Sequence, residues 1–382
     1  MIDLNSHLYN KGFYQVGDEK IFSKFQAIMA SQKTGHFPEW NFNNETFGLH
    51  DWTVEPTESL WEIYRQRAQQ IRDQYDYVIL LYSGGSDSTN ILQAFLFNNI
   101  PIDETFCFGA FSTDQHRSAT TDSVATENMS REIDTVALPY LNQLAKDHKF
   151  KVTVHDYTSD IVNGYKDADW IWSEVGTRLY PSNPGKNRLF ENSATAKAQL
   201  DAGKKVCFIS GIDKPRIILK DGVFYFAFLD YFTSNGSGQK TLMDGKDWFV
   251  EELFYWTPDM PKLVIKQAHL MMRYFKEYPE KRYLVERADL GSWKHRHEYF
   301  ELTKALMYPY WNRSAYQAVK PTKQTFIELD NWFINSDGKA RQYWLEGVKE
   351  VQRIVDPYWL SQDHDPRFTG SWSKFYQIGT VT

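Results

Sequence analysis

Only two of the 382 residues are cysteines, Cys107 and Cys207. Two thiols make neither a disulfide framework nor a cysteine metal knuckle, and their spacing excludes a CxxC redox motif. A reducing compartment, the cytoplasm, is the expected location. No apolar run reaches the ~20 residues needed to span a bilayer, and the polar start MIDLNSHLYNKG lacks the apolar centre of a signal peptide. Positive charge is not in excess: 43 Lys and Arg stand against 49 Asp and Glu, a formal net charge of −6. Nothing global therefore marks a polyphosphate partner, although a local basic groove stays open. Internal repeats and low-complexity tracts are missing too, as is any GxxxxGK[ST] loop.

Aromatic residues, by contrast, are abundant at 16% of the chain. Many lie in the C-terminal half, in Trp248-Phe249, Phe254-Tyr255-Trp256, Tyr308-Pro309-Tyr310-Trp311 and Trp332-Phe333. Interleaved with Lys and Arg, such rings can stack bases; more commonly they pack helices together.

The most informative stretch is residues 77–99, YVILLYSGGSDSTNILQAFLFNN. An apolar run from Tyr77 to Tyr82 enters the turn Ser83-Gly84-Gly85-Ser86-Asp87-Ser88 and leaves with Ile91, Leu92 and Phe95 on one helical face. Two glycines let backbone N–H groups converge, three hydroxyls add donors, and the helix dipole places positive potential at the same point. The spacing therefore predicts a strand, a phosphate-holding turn and a helix.

Around it, Thr57 as N-cap and Leu60, Tyr64, Ala68, Ile71 and Tyr75 predict a preceding helix. Strands are expected at 77–82, 105–111, 151–155 and 205–210, with crossover helices that include one marked by Ile133, Val136, Tyr140, Leu141 and Leu144. Further helical stretches are expected at 158–178 and 193–202. Asp221-Gly222 signals a two-residue hairpin. From about 240 the pattern reads as helical, with Pro261 in a first turn and an apolar stripe of Leu263, Val264, Ala268, Met271 and Phe275. The expected fold class is α/β: a doubly wound, mostly parallel Rossmann-like sheet with a helical, aromatic-rich C-terminal region. The expected division is an irregular arm over 1–56, an α/β nucleotide-binding domain over 57–240 and the helical region over 241–382.

The Ser83–Ser88 turn resembles the SGGxDS signature of the PP-loop (N-type ATP pyrophosphatase) superfamily, which has an adenine nucleotide alpha-hydrolase-like fold. The resemblance covers residues 57–230 by element order, and its specific part is the turn. It implies ATP with Mg²⁺ as ligands and cleavage between the α and β phosphates, giving AMP and pyrophosphate. Ser83, Gly84, Gly85, Ser86, Asp87 and Ser88 would hold the nucleotide. Adenine would lie over Phe108-Gly109, where Gly109 permits close approach or else marks a strand bulge.

A second cluster, Ser210-Gly211-Ile212-Asp213-Lys214-Pro215-Arg216, comes directly after the fourth strand. With strand order 3-2-1-4 it faces the Ser83–Ser88 turn across the crevice where ligands bind in doubly wound sheets. Lys214 and Arg216 would then neutralise the departing pyrophosphate as catalytic residues, with Gly211 and Asp213 at the nucleotide and Asp87 and Asp213 holding Mg²⁺. The alternative makes this segment an exposed, solvated turn. Lys266, Arg313 and Lys320 read first as ordinary surface cations, with a reach to the nucleotide from the C-terminal region as a second-tier alternative. His269, His295 and His297 read as ordinary helix-face residues rather than metal ligands.

Among PP-loop chemistries, adenylation with subsequent attack of a nitrogen nucleophile fits best. The aromatic helical C-terminal region is similar to that of the asparagine synthetase synthetase domain. The departures are Ile2 in place of a nucleophilic cysteine, no room for a glutaminase in the first 50 residues, and SGIDKPR in place of GxGxDE. Ammonia would be free or delivered by a partner, and the acceptor would be a small molecule or a nucleobase. Thiolation or deazaguanine formation needs cysteines this chain does not offer, and stands as the alternative reading. A non-catalytic nucleotide-binding module is the third.

Overall fold

The computed structural model describes residues 12–21, 24–36, 38–109, 133–156, 193–211, 215–230, 250–286, 293–311 and 372–382. Within the segment expected to be an irregular arm, the described residues form regular elements. Strands β1 (Phe13–Val16) and β2 (Glu19–Ile21), helix α1 (Lys24–Thr34), strand β3 (Glu39–Asn41) and the single turn α2 (Asn44–Phe47) succeed one another. The three strands form an antiparallel sheet in the order β2-β1-β3. Strands of three or four residues carry too few alternations to declare themselves in sequence. Tyr14, Trp40, Phe42 and Phe47 from this unit are buried in the main core.

Helix α3 (Leu60–Gln74) is capped by Ser59, whose hydroxyl accepts from the Glu62 backbone N–H at 3.2 Å. The cap is therefore not Thr57; the Ser-x-x-Glu spacing of a capping box, Ser59 to Glu62, decides for the later residue. The chain then runs through β4 (Tyr77–Leu81), α4 (Ser86–Leu96), β5 (Glu104–Gly109), a π-helical turn (Ile133–Ala137) continuing as α5 (Leu138–Leu144), β6 (Lys151–Asp156), α6 (Ala194–Asp201) and β7 (Val206–Ser210). The hairpin β8 (Ile217–Lys220) and β9 (Val223–Phe226) precedes β10 (Val250–Leu253), α7 (Pro261–Glu277), α8 (Trp293–Met307) and β11 (Tyr376–Thr380).

The central sheet is wholly parallel, in the order β10-β7-β4-β5-β6. The four strands expected from sequence therefore lie in the order 3-2-1-4. Right-handed crossovers require the connections on either side of β4 to lie on opposite faces of the sheet. They do: Ile91, Leu92, Phe95 and Leu141 from α4 and α5 join the large core on one face, whereas Ala196 and Leu200 of α6 pack with Ile79, Phe106 and Phe208 on the other. The reversal point lies between β4 and β7. Gly109 pairs in unbroken register with Asp156, so it marks no bulge.

The boundary expected at residue 240 does not separate the sheet from the C-terminal region. β10 lies beyond it yet forms the outer strand beside β7. Its sequence, Val-Glu-Glu-Leu, carries two acidic residues that hide a strand, and Glu252 is anchored by the fully buried Arg67 at 2.7 Å and by the Tyr75 hydroxyl at 2.5 Å. β11 also departs from the helical reading, completing a second antiparallel sheet in the order β11-β9-β8. The Asp221-Gly222 hairpin forms as expected. Both residues have positive φ, 51° and 76°, as a type I′ turn requires. α7 begins with Pro261 and buries the whole expected stripe. Among the described residues no helix is long and apolar enough to cross a membrane.

Candidate functional site

Tyr82 through Gly85 connect β4 to α4 at the carboxyl edge of the sheet, and Ser86 through Ser88 begin the helix. Gly84 has φ +77°, and a Cβ there would lie 3.1–3.3 Å from the Cβ, N and Cα of Ala137, the last residue of the π-helical turn. This position therefore requires glycine twice, for its conformation and for the close approach of the next crossover helix. Gly85, with φ −74° and ψ 166°, is the N-cap of α4, and among the described residues no side chain caps the helix. A helix start without a side-chain cap leaves its first-turn N–H groups to another acceptor, which is what an anion site provides.

The loop braces itself. The Ser83 N–H donates to Ser88 Oγ at 3.4 Å, the Gly85 N–H to Ser83 Oγ at 3.3 Å, and the Ser88 hydroxyl to the Gly85 carbonyl at 3.2 Å. Ser83 is exposed, Asp87 half-buried, and Ser86 and Ser88 are buried. The Ser83 and Ser88 hydroxyls thus brace the turn from within.

Gly211, immediately after β7, meets this loop. A Cβ at 211 would sit 3.3 Å from Asp87 Cβ and 3.0 Å from Ile91 Cδ1, so its bare backbone lies against the first turn of α4. Gly211, the first residue of the second expected loop, thus meets the Ser83–Ser88 turn, as the strand order requires. Ser210, which opens the second cluster without being given a role from sequence, is 3% exposed, and its hydroxyl has no hydrogen-bond partner among the described residues. Its position at the carboxyl end of a central strand is the available signal. Arg216 is also buried rather than a solvated turn residue. Its guanidinium lies over the Phe300 ring of α8 at 5.8 Å, and the flanking backbone is pinned by Tyr299, whose hydroxyl donates to the Pro215 carbonyl at 2.5 Å and accepts from the Ile217 N–H at 3.2 Å.

Beneath the loop lies a buried set of tyrosine hydroxyls. Tyr308 donates to Asp87 Oδ1, and Tyr255 donates to the Asp87 backbone carbonyl at 2.8 Å. Asn90 Nδ2 donates to the Tyr255 hydroxyl at 3.0 Å, and Gln267 Nε2 to the Tyr64 hydroxyl at 3.0 Å. Burial raises the pKa of Tyr64, Tyr255 and Tyr308, and the Asp87 charge raises all three further. These hydroxyls stay protonated, and those of Tyr255 and Tyr308 are fixed donors to Asp87. Tyr255 and Tyr308 belong to aromatic clusters that read as packing residues. Their rings do pack, 6.0 Å apart, but their hydroxyls reach the candidate site.

Other expected residues fall elsewhere. Phe108 packs its ring against Phe106 on the α6 face of the sheet, with Gly109 at the carboxyl end of β5. Lys266 is engaged by Glu55 at 2.7 Å and by the Pro56 carbonyl at 2.8 Å, and His269 Nε2 donates to the Trp52 carbonyl at 2.8 Å. Asp213, Lys214, Arg313 and Lys320, the side chains of His295 and His297, and the 158–178 stretch lie outside the described residues. Among the described residues no group of three His, Cys, Asp or Glu side chains could hold a metal ion. Mg²⁺ commonly takes only one or two carboxylates beside phosphate oxygens, so Asp87 alone is a chemically adequate protein ligand for it.

Both cysteines are fully buried. Burial pushes the Cys107 thiol up to about 12, and burial, reinforced by the Glu252 charge, raises that of Cys207 as well. Compared with models of known protein families and with curated proteins, the chain matches none.

Proposed function

We propose that this chain is an ATP-dependent, AMP-forming ligase of the PP-loop type, which adenylates an acceptor for attack by a nitrogen nucleophile and releases pyrophosphate. The observation that carries the reading is the meeting of the Ser83–Ser88 turn with the backbone of Gly211 at the reversal point of the sheet. A helix start without a side-chain cap, a left-handed glycine and a bare-backbone neighbour together make a surface on which a polyphosphate chain lies against N–H groups.

In this reading the Ser83, Ser86 and Ser88 hydroxyls and the α4 N-terminus bind phosphate, and Asp87 holds Mg²⁺, with Asp213 as the second carboxylate. The metal supplies charge neutralisation on the phosphates. Arg216, fixed over Phe300, and Lys214 stabilise the charge that gathers on the departing pyrophosphate. The burial of both cysteines favours nitrogen over sulfur transfer, since a persulfide relay needs accessible thiolates.

The test is product analysis with γ- and α-labelled ATP, Mg²⁺ and panels of carboxylate, nucleobase and amine acceptors. AMP and pyrophosphate are expected. ADP and orthophosphate would reject the α–β cleavage, and absence of ATP binding by calorimetry would reject the nucleotide site itself.

A further inference from the structure

We infer that Tyr308, with Tyr255, is a positioning residue that presents the Asp87 carboxylate to a metal-bound nucleotide, and that helix α8 thereby sets one half of the site against the other. This deepens the nucleotide reading above and rests on it.

Asp87 is gripped at two points by residues far away in sequence, Tyr308 at Oδ1 and Tyr255 at the main-chain carbonyl. Ser86 Oγ lies 3.5 Å from the second carboxylate oxygen, Oδ2. A carboxylate held at one oxygen has its rotation about the side-chain bonds fixed, so its second oxygen points in a set direction. Both tyrosines are buried and their rings pack 6.0 Å apart, so the arrangement is rigid.

The element that delivers Tyr308 also holds the opposite loop. Tyr299 and Phe300 on α8 secure Pro215, Arg216 and Ile217, and Tyr308 comes directly after the last turn of the same helix. Eight residues at helical rise separate Phe300 from Tyr308 by about 12 Å. One stiff rod thus fixes the distance between the Arg216 segment and Asp87. A site that must bridge an anion between a metal-bearing carboxylate and a cation needs that spacing held.

The test is titration calorimetry of the full chain with ATP, with Mg²⁺ and in EDTA, on the wild type, Tyr308→Phe, Asp87→Asn and the double variant. Phe keeps the ring and removes only the donor. Losing a hydrogen bond to a charged group is expected to weaken Mg²⁺-ATP binding on the order of tenfold to a hundredfold. Binding in EDTA should change by less than about threefold, because the loop N–H groups remain. In the Asp87→Asn background, Tyr308→Phe should add less than about twofold, since the effect passes through that carboxylate. Equal weakening with and without Mg²⁺, or tighter Mg²⁺-ATP binding in Tyr308→Phe, would overturn the positioning role. So would full additivity in the double variant. Should Tyr308→Phe lose its cooperative thermal transition, Tyr255→Phe takes its place with the same expected Mg²⁺ selectivity. A wild type that binds no ATP overturns both readings; a wild type and a Tyr308→Phe variant that bind Mg²⁺-ATP alike overturn this one alone.

Discussion

The backbone of Gly211 lies so close to Asp87 that a methyl group at 211 would stand 3.3 Å from Asp87 Cβ and 3.0 Å from Ile91 Cδ1. Gly211→Val should therefore displace the first turn of α4. The expected stability loss is about 1–3 kcal/mol by urea unfolding, as for overpacking elsewhere, together with weakened ATP binding. Gly211→Ala should show the same signs at smaller size. Unchanged affinity in Gly211→Val would detach the second loop from the nucleotide site.

Two adjacent glycines should respond differently. Gly84→Ala puts a side chain into a left-handed conformation and against Ala137, and is expected to destabilise the fold by about 1–3 kcal/mol. Gly85 has extended backbone angles that any residue adopts. Gly85→Val should leave thermal stability nearly unchanged while abolishing ATP binding, because its side chain would enter the proposed phosphate space. Paired melting and binding measurements separate the two outcomes.

The thiols should be inert in the folded chain. With Cys107 pushed up to about 12 and Cys207 raised too, almost no thiolate exists near neutral pH. Ellman's reagent should label neither cysteine natively and both after denaturation in guanidinium. A Cys107→Ser, Cys207→Ala double variant should keep its full reaction with ATP and acceptor, losing only stability. Formation of AMP without transfer to the acceptor would move the protein to sulfur chemistry.

His269 should make stability fall on mild acidification. Burial lowers its pKa from 6.5, opposed by its bond to the Trp52 carbonyl and by Glu55, while Arg273 and Lys266 add to the lowering. The unfolded chain takes up the proton first, so this contribution is complete above pH 6.5 and is lost as pH falls from there through the folded value. Urea midpoints between about pH 7.5 and 5.5 should decline in the wild type and decline less in His269→Gln. A parallel pair of curves would dismiss the effect.

The elements legible in the sequence are long and periodic. β4 and α4 announce themselves by an apolar run, a glycine pair and a 3.6-residue stripe, and the Asp221-Gly222 turn by its chemistry. The order 3-2-1-4 of the four strands enters as the premise of a doubly wound sheet, and the sheet has it. The hidden elements are short or depend on distant partners. β2 and β3 have three residues each, and β10 reads as Val-Glu-Glu-Leu because one of its acids, Glu252, answers Arg67 and Tyr75 rather than solvent. Nothing local distinguishes a tyrosine whose ring packs from one whose hydroxyl also holds Asp87, when the partner lies 221 residues away, as for Tyr308.

The ring of Trp52 is sandwiched between Phe226 at 5.1 Å and Tyr376 at 4.5 Å, and the Tyr376 hydroxyl donates to Asn44, 332 residues earlier. This aromatic clasp cannot shut on the ribosome until β11 has been made. At about 5–20 residues per second, roughly a quarter of a minute to a minute separates the two sides of the clasp. Once made, β9 lacks its β11 partner for the roughly 150 residues that separate the two strands, about 8–30 s at that rate. The contact between Asn44 and Tyr376 therefore closes late in synthesis, and a nascent chain that stops short of β11 cannot cover that edge of β9.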